Sequence, residues 1–288
     1  MFAFRIISYL PLSILYLFSD FLYLIACYIL RYREKVIDAN LLHAFPEKSP
    51  SERKKIKKQF YRNFTDSLAE TVKLLTISQG DLAKRVKIEN VHLILEKINK
   101  GEIIIGLTAH FFNWEAHLLA IMAHVQKRCE VVYLKVNNPY FERLMQQLRS
   151  RFGGMLVERK QFHRNFLRER SNPRLIVLAA DQRPQQMEQR YWAAFMNREA
   201  AFFEGAEKLA KKFNHSVIFS HVTKPRRGHY IFTYELLEEP PFEGPNHSIT
   251  NGFIRCTENN IRLEPSLYLW SHDRWKKSPK PKSSELLT

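Results

Sequence analysis

The sequence predicts an α/β fold, with a mixed, mostly parallel sheet flanked by helices and an N-terminal membrane helix. Three observations lead to this prediction. From Gly101 onward, short apolar runs alternate with helical stretches, which is typical of a parallel sheet covered by helices. A Pro-Arg-Arg-Gly turn at 225–228 separates two strand-like runs and predicts a hairpin that makes the sheet mixed. A long apolar stretch fills most of the first 30 residues.

The N-terminal apolar stretch runs from Ile6 to Leu30 and contains one charged residue, Asp20. As a single helix it would be roughly 37 Å long, which is enough to cross a bilayer. It is too long for the apolar region of a signal peptide and has no small-x-small cleavage site, so we expect it to be retained. Pro11 and Asp20 interrupt the pattern and leave open a second interpretation, in which the segment lies on the membrane surface.

The charge of the chain predicts which partner it meets. The 288 residues include 45 Lys and Arg against 29 Asp and Glu, a net charge of +16, which favours an anionic partner. Arg31, Arg33 and Lys35 follow the apolar stretch directly, and by the positive-inside rule they place the rest of the chain in the cytoplasm. We therefore expect an anionic membrane as partner, and no nucleic acid, because no recognised nucleic-acid motif is present.

A long helix is predicted after Ser49, where Ser49-Pro50-Ser51-Glu52 forms a capping box with Pro at the first helical position. Its apolar residues recur at helical spacing, and its first turns are basic. The apolar stripe is Ile56, Phe60, Phe64, Leu68, Val72 and Leu75, and the basic residues are Arg53, Lys54, Lys55, Lys57, Lys58 and Arg62. The stripe indicates a core helix, while the basic face is either solvated or close to lipid phosphates.

Six runs have the length and composition of strands, with helical stretches between the earlier ones. The strand-like runs are 103–108, 131–135, 155–158, 175–179, 217–222 and 230–236, and the helical stretches include 139–150, 161–170 and 204–213. Because strands and helices alternate at this period, we expect a mostly parallel sheet. The last two runs form the predicted hairpin at its edge.

The most informative candidate for chemistry is His110, which follows the first predicted strand of the sheet. Open α/β sheets bind their ligands at the carboxyl ends of their strands, which is where His110 lies. Asn113 can cap the helix that follows, and Glu115 lies in its first turn. We expect Glu115 to fold back onto the second ring nitrogen of His110, which would fix the tautomer and make His110 a base toward a hydroxyl. A histidine that merely satisfies its hydrogen bonds at a strand end is the alternative.

Polar residues also follow two other predicted strands. Arg159 comes after the strand at 155–158, and Arg is suited to bidentate recognition of anions. Asp181 follows the strand at 175–179 and would orient Arg159 or an acceptor hydroxyl, with Gln182 and Arg183 beside it. The structural alternatives are a surface Arg and an Asp that caps a turn.

No metal or cofactor is predicted. His117 and His124 follow His110 at seven-residue steps, but they fall on a helix without a carboxylate at ligand spacing, so ordinary helix histidines are the better interpretation. Cys27, Cys129 and Cys256 are far apart in the sequence, which indicates reduced thiols in a reducing compartment.

Four stretches in order carry a resemblance to a known family. They are His110 to Glu115 as a His-x4-acid element, Met-Leu-Val-Glu-Arg at 155–159, Ala-Asp-Gln-Arg-Pro at 180–184, and Glu-Pro-Ser-Leu-Tyr-Leu-Trp-Ser-His-Asp-Arg-Trp at 264–275. Together they resemble the bacterial lipid A biosynthesis acyltransferases of the late, lauroyl/myristoyl type, within the glycerolipid-acyltransferase-like superfamily. The resemblance extends to about Lys277.

The resemblance implies an enzyme of the inner membrane with its catalytic domain in the cytoplasm. It would move a fatty acyl chain from acyl-carrier protein, or from acyl-CoA, to a hydroxyl of a glycolipid, a lipid A precursor. His110 and Glu115 would be catalytic, and Asn113, Arg159, Asp181, Gln182 and Arg183 would bind substrate. The implied organisation is a membrane anchor at 1–35, an acyltransferase domain at 36–277 and a disordered tail at 278–288.

Two alternatives remain open at this point. One is an acyltransferase for another acceptor, such as a glycerophosphate or an aminolipid. Phe202-Phe203-Glu204-Gly205 departs from the Phe-Pro-Glu-Gly element of the glycerophosphate enzymes, since the Pro is missing, and it would instead open a helix and line an acyl slot. The other alternative is a basic membrane-binding protein without enzymatic activity.

Overall fold

The computed structural model describes residues 2–184 and 190–276. The helices are α1 (Phe2–Ser8), α2 (Leu12–Leu24), α3 (Glu34–Ala44), α4 (Pro50–Leu74), α5 (Gln79–Arg85), α6 (His92–Asn99), α7 (Trp114–Val125), α8 (Pro139–Arg149), α9 (Phe162–Arg168), α10 (Gly205–Phe213) and α11 (Ser248–Leu263). The strands are β1 (Val86–Glu89), β2 (Ile103–Thr108), β3 (Cys129–Tyr133), β4 (Met155–Glu158), β5 (Arg174–Ala179), β6 (Arg190–Phe195), β7 (Arg198–Phe203), β8 (Ser216–Arg226) and β9 (His229–Glu238). The predicted tail at 278–288 lies outside the described residues.

The main sheet has seven strands in the order β1-β9-β8-β2-β5-β3-β4, and every pairing except β8 with β9 is parallel. The predicted mixed, mostly parallel sheet is therefore confirmed, together with its hairpin. Its central strands are mostly apolar because helices cover both faces, so β2 and β5 have no alternating polar side. The exception is Arg174 at the start of β5, which is paired with Glu130. The short strand β1 and the separate antiparallel hairpin of β6 and β7 were not predicted.

The predicted apolar N-terminal helix is present, but it begins after Pro11 and not at Ile6. The chain leaves the helical path around Pro11, which separates α1 from α2, because proline lacks a backbone N–H and its ring clashes with the preceding turn. α2 then continues into one wider helical turn, Ile25–Ile29. Leu12–Ile29 is the one helical segment in the described ranges that is long and apolar enough to cross a membrane.

One face of α2 packs along α4, and the contacts are polar as well as apolar. Tyr16 donates a hydrogen bond to Glu70 (2.8 Å), and Ser19 donates one to Asp66 (2.7 Å). The Arg62 guanidinium lies 4.7 Å from the centre of the Tyr23 ring. The partner numbers fall as the α2 numbers rise, so the two helices run antiparallel side by side.

The predicted apolar stripe of α4 is only partly correct. Phe60 is fully buried, but Leu68 is 45 % exposed. The helix instead buries a polar group of residues, among them Asn63, Asp66 and Glu70, because α2 and the β8–β9 hairpin bring donors to that side. The predicted capping box at the start of α4 is confirmed by both of its reciprocal hydrogen bonds.

α11 is attached to the sheet through Asn260, which is 1 % exposed. Its amide oxygen accepts from the Val222 backbone N–H (2.7 Å), and its amide nitrogen donates to the Val222 carbonyl (2.8 Å). The side chain thus replaces a neighbouring strand at a point where β2 has already ended. Two backbone groups of β8 depend on this one residue.

We expect Asn260→Ala to lower the free energy of unfolding by about 2–5 kcal/mol, since it leaves two buried backbone groups unpaired. Asn259→Ala, on the exposed side of the same helix, should change it by no more than about 0.5 kcal/mol. Denaturant unfolding of the detergent-solubilised protein measures both. Equal losses in the two variants would contradict the role given to Asn260.

Candidate active site

The centre of the site is a pair formed by His110 and Asp181. β2 and β5 are neighbours in register, with Thr108 opposite Ala179, so the residues two positions beyond each strand emerge together. His110 Nδ1 lies 2.6 Å from Asp181 Oδ1. The Ala180 N–H donates to the Thr108 carbonyl (3.1 Å), which holds the two strand ends together just before the pair.

The two groups of the pair shift each other's pKa. Burial disfavours the imidazolium form of His110, but the Asp181 charge and hydrogen bond outweigh it, and the pKa of His110 is raised above its ordinary value. Burial works against the Asp181 carboxylate too, and His110 outweighs it, so the pKa of Asp181 is lowered. Asp181 is 2 % exposed and His110 is 23 % exposed, so the carboxylate lies inside and the ring faces the site opening.

The geometry also sets which ring nitrogen is free to take a proton. The Asp181 carboxylate accepts from Nδ1–H, which leaves the lone pair on Nε2. The Gln182 amide nitrogen is 3.3 Å from that Nε2, and the Trp114 ring packs against the imidazole with its edge, at 5.6 Å between centres. Asp181 therefore orients the ring from the Nδ1 side, and Nε2, beside the Gln182 amide, is the nitrogen that can take a proton.

The expected contact between Glu115 and His110 is wrong. The Glu115 carboxylate accepts from Arg149 through two guanidinium nitrogens, one of them Nε at 2.8 Å, and from the Trp114 indole N–H at 3.0 Å. Asp181 already occupies the ring nitrogen, so Glu115 in the first turn of α7 turns toward the end of α8. Its charge still favours the protonated form of His110. A catalytic role for Glu115 stays a prediction, in which it acts through its charge and through Arg149.

Asn113 is the predicted cap of α7. Its side-chain oxygen accepts from the backbone N–H groups of Glu115 (3.1 Å) and Ala116 (3.2 Å), and its amide nitrogen donates to Glu70 (3.0 Å). The residue is 1 % exposed. These contacts give it a structural position beside the site, and substrate binding by Asn113 stays a prediction.

Arg159 and Arg183 occupy different surroundings, and neither is hydrogen-bonded to Asp181. Arg159 is exposed, with its guanidinium 4.7 Å from the centre of the Phe203 ring at the end of β7. The Arg183 backbone N–H points to His272 Nε2 at 3.3 Å, and its buried Nη1 has no hydrogen-bond partner among the described residues. The predicted orientation of Arg159 by Asp181 is therefore wrong, because Asp181 is bound to His110.

Three further residues belong to this site and were not singled out from the sequence: Arg149, His272 and Arg274. Burial lowers the pKa of His272 to about 4, and the Arg274 charge adds to this although Asp181 opposes it, so the ring is a neutral acceptor. Arg274 is 1 % exposed and lies over the Phe202 ring, with Nε and Nη1 unpartnered within the described ranges. His272 and Arg274 were within the quoted 264–275 stretch, which was the available signal, whereas nothing local marks Arg149.

The other histidines of α7 have ordinary surroundings. His117 bonds the Tyr234 hydroxyl (2.7 Å) and stacks on Phe232, and burial lowers its pKa to about 3. His124 is exposed. Elsewhere in the described residues, ligand atoms of His221, Glu235 and Cys256 lie within 4.8 Å of one another, and the His221–Glu235 hydrogen bond at 2.7 Å accounts for the closest pair.

Comparison with known proteins gives a consistent result. The family model for bacterial lipid A biosynthesis acyltransferases matches residues 1–277. A lipid A biosynthesis myristoyltransferase of Escherichia coli K12 is 26 % identical over 129 residues, which is 44 % of this chain and 39 % of that protein. A lipid A biosynthesis palmitoleoyltransferase of the same strain is 23 % identical over 298 residues, or 96 % of this chain and 94 % of that protein.

The pair can be tested without any substrate. We expect Asp181→Asn to lower the pKa of His110, because it removes the charge and the hydrogen-bond acceptor that favour the imidazolium. Glu115→Gln should lower it less, since that carboxylate bonds Arg149 instead of the ring. Titration of the histidine side chains by NMR in both variants measures this. A larger change in Glu115→Gln would restore the original assignment of Glu115 as the partner of His110.

Proposed function

We propose that this chain, which belongs to the bacterial lipid A biosynthesis acyltransferases, transfers a fatty acyl group from a thioester donor to a hydroxyl of a lipid A precursor. The observation that carries the mechanism is the 2.6 Å contact of His110 with Asp181. It supplies a base of raised pKa with Asp181 bound at Nδ1, so that Nε2 takes the proton of the acceptor. Acyl-carrier protein is the proposed donor, because a net charge of +16 suits an acidic carrier.

The reaction proceeds by direct attack. His110 Nε2 takes the proton as the acceptor hydroxyl oxygen bonds to the thioester carbonyl carbon, and Asp181 stabilises the imidazolium that forms. The tetrahedral intermediate then collapses, the carbon–sulfur bond breaks, and the imidazolium returns its proton to the leaving thiolate. No Gly-x-Ser-x-Gly element is present in the sequence, which favours this route over a covalent acyl-serine.

The negative charge that develops on the carbonyl oxygen needs nearby donors. The Gln182 amide is the side-chain donor closest to the reactive nitrogen of His110, at 3.3 Å. Arg183 has a buried guanidinium nitrogen without a partner among the described residues, which suits a group that receives an anion from the substrate. We assign Gln182 and Arg183 to substrate binding on these grounds, and Arg159 on its exposed position at the end of β4.

Membrane attachment follows from the face of α2 that α4 leaves uncovered. Only 17 % of the Leu12–Ile29 segment is buried. Leu17, Phe18 and Phe21 are each more than half exposed, and they recur at helical spacing on the side opposite the α4 contacts. Because such a continuous apolar face is unfavourable in water, we propose that it inserts into the cytoplasmic leaflet of the inner membrane.

The contacts of this segment favour a helix lying in the membrane plane over one that crosses the bilayer. Polar contacts hold it to the domain from the Ser8 carbonyl, bonded by Thr76, to the Tyr32 carbonyl, bonded by Tyr61. Asp20 is ion-paired with Arg227 of the β8–β9 hairpin at 2.8 Å. A crossing helix would have to leave the domain and carry Asp20 into hydrocarbon, which is costly.

We expect His110→Ala to abolish measurable acyl transfer, because removing the base of such a unit costs about six orders of magnitude in rate. His124→Ala, an exposed histidine of α7, is the matched control and should retain wild-type turnover. Mass spectrometry of the acylated glycolipid, with acyl-carrier protein and acyl-CoA compared as donors, measures both. Near-normal turnover by His110→Ala would refute the mechanism.

The acceptor is tested in cells. Lipids extracted from a deletion strain should contain a glycolipid lighter by one acyl group, and the wild-type gene should restore the complete species while the His110→Ala gene should not. If only glycerophospholipids or only aminolipids lacked an acyl group, that lipid class would be the acceptor instead. Unchanged lipids would favour a non-enzymatic membrane protein.

The in-plane attachment makes its own prediction. Leu17→Glu/Phe21→Glu should release the protein from membranes, because two charges replace apolar groups on the inserted face. Leu263→Glu, at a leucine that is 68 % exposed on α11, should leave it bound. Cell fractionation measures release, and a reporter on either terminus should report the cytoplasm. An N-terminal reporter in the periplasm would show that the segment crosses the bilayer.

A further inference from the structure

A cavity of about 660 Å³ lies beside the start of α2, and its lining includes neither His110 nor Asp181. It is bounded by the turn before α2, the end of α4, helix α5 and the tip of the β8–β9 hairpin. Its lining includes four permanent cations, Lys73, Lys84, Arg85 and Arg226, and one carboxylate, Asp81. The volume is in the range of pockets that hold small ligands or headgroups.

Two of these cations bind protein groups directly, and the other two form no ion pair with the described residues. The Lys73 ammonium donates to the carbonyls of Ser8 (3.1 Å) and Leu10 (3.0 Å), and Lys84 is paired with Asp81 at 3.0 Å. Arg85 and Arg226 have no carboxylate within salt-bridge distance in the part of the chain that the structure describes. Two guanidinium groups therefore line one cavity without an ion-pair partner among the described residues, and its one carboxylate, Asp81, is paired with Lys84.

The position of the cavity connects it to the membrane. Pro11 and Leu12 line it and also begin the helix whose other face is apolar and exposed. Lys73 and Thr76 tie the preceding turn to the end of α4, so the cavity wall is fixed relative to that face. If the apolar face of α2 inserts as proposed above, the cavity lies at the level of the lipid headgroups.

We infer that this cavity binds the phosphate of an anionic lipid headgroup, with Arg85 and Arg226 as the groups that contact it. Guanidinium forks match phosphate oxygens in a bidentate manner, and a second cation on the opposite wall suits a doubly charged group. His229, hydrogen-bonded to Arg226 at 3.1 Å, positions that side chain at the hairpin tip. The phosphate belongs either to the acceptor glycolipid or to a bulk phospholipid of the same leaflet.

The test is cosedimentation of the full-length protein with lipid vesicles. The vesicles are phosphatidylcholine alone, phosphatidylcholine with phosphatidylglycerol, and phosphatidylcholine with a phosphorylated glycolipid. A basic residue near an anionic surface strengthens binding about fivefold, so Arg85→Gln/Arg226→Gln should weaken binding to both anionic vesicles by roughly thirtyfold. Binding to phosphatidylcholine alone should be unchanged, because the apolar face of α2 is intact.

Two control variants keep the result specific. Lys100→Gln/Lys212→Gln removes two exposed cations near the amino ends of β2 and β8 and should alter binding little. Arg85→Lys/Arg226→Lys keeps both charges but loses the bidentate forks, so it should bind anionic vesicles more weakly than the wild type and more strongly than the double Gln variant. If the double Gln variant is unfolded by circular dichroism, Arg226→Gln alone, at the exposed hairpin tip, should show a loss of about fivefold.

Competition between the two anionic lipids distinguishes the source of the phosphate. If the dispersed phosphorylated glycolipid inhibits vesicle binding and phosphatidylglycerol does not, the cavity binds the acceptor. If both lipids inhibit equally, the cavity binds bulk phospholipid. Wild-type binding of the double Gln variant to both anionic vesicles would overturn the inference. No acyl donor is present, so failure of the proposed acyl transfer would leave this result standing.

Discussion

The parallel pairing of β2 with β5 is the constraint on which the site depends. A parallel pair brings two carboxyl ends to one edge, and the register of Thr108 with Ala179 places His110 and Asp181 within 2.6 Å although they are 71 residues apart. A shift of one residue in either strand would turn one of the two side chains to the other face. The largely apolar and buried residues of both strands resist such a shift, so the packing of the whole sheet fixes the position of the pair.

A second constraint is the buried carboxylate of Glu70. It accepts from Tyr16 of α2, from Tyr230 of β9 and from Asn113 at the start of α7. Burial raises its pKa although Lys224 and these donors oppose the rise. A buried carboxyl group is expensive unless every partner is present, so the position of α2 is coupled to the cap of the helix that follows His110. Helix α2 and the start of α7, which follows His110, are thus parts of one polar network.

What the sequence predicted well were features set by local pattern. The strands, the hairpin at 225–228, the capping box and the Asn113 cap each depend on residues close in the chain, and the structure has them. The partner of His110 was assigned wrongly because the nearest acid in sequence, Glu115, is not the nearest acid in space. Arg149 could not be found at all, since only the packing of α8 beside α7 brings it to Glu115. Apolar composition alone likewise could not show that α2 has a partner in α4.

The N-terminal segment shows why composition and topology are separate questions. Its composition satisfies the criterion for a crossing helix, yet Tyr16, Ser19 and Asp20 form one polar row on the α4 side, where Glu70, Asp66 and Arg227 meet them. These polar groups would be costly to place in hydrocarbon. Here they instead bind the helix to the rest of the domain. If α2 inserts into the leaflet as proposed, this row holds the domain, and His110 with it, at a set height above the membrane. A lipid acceptor would then reach His110 without leaving the bilayer.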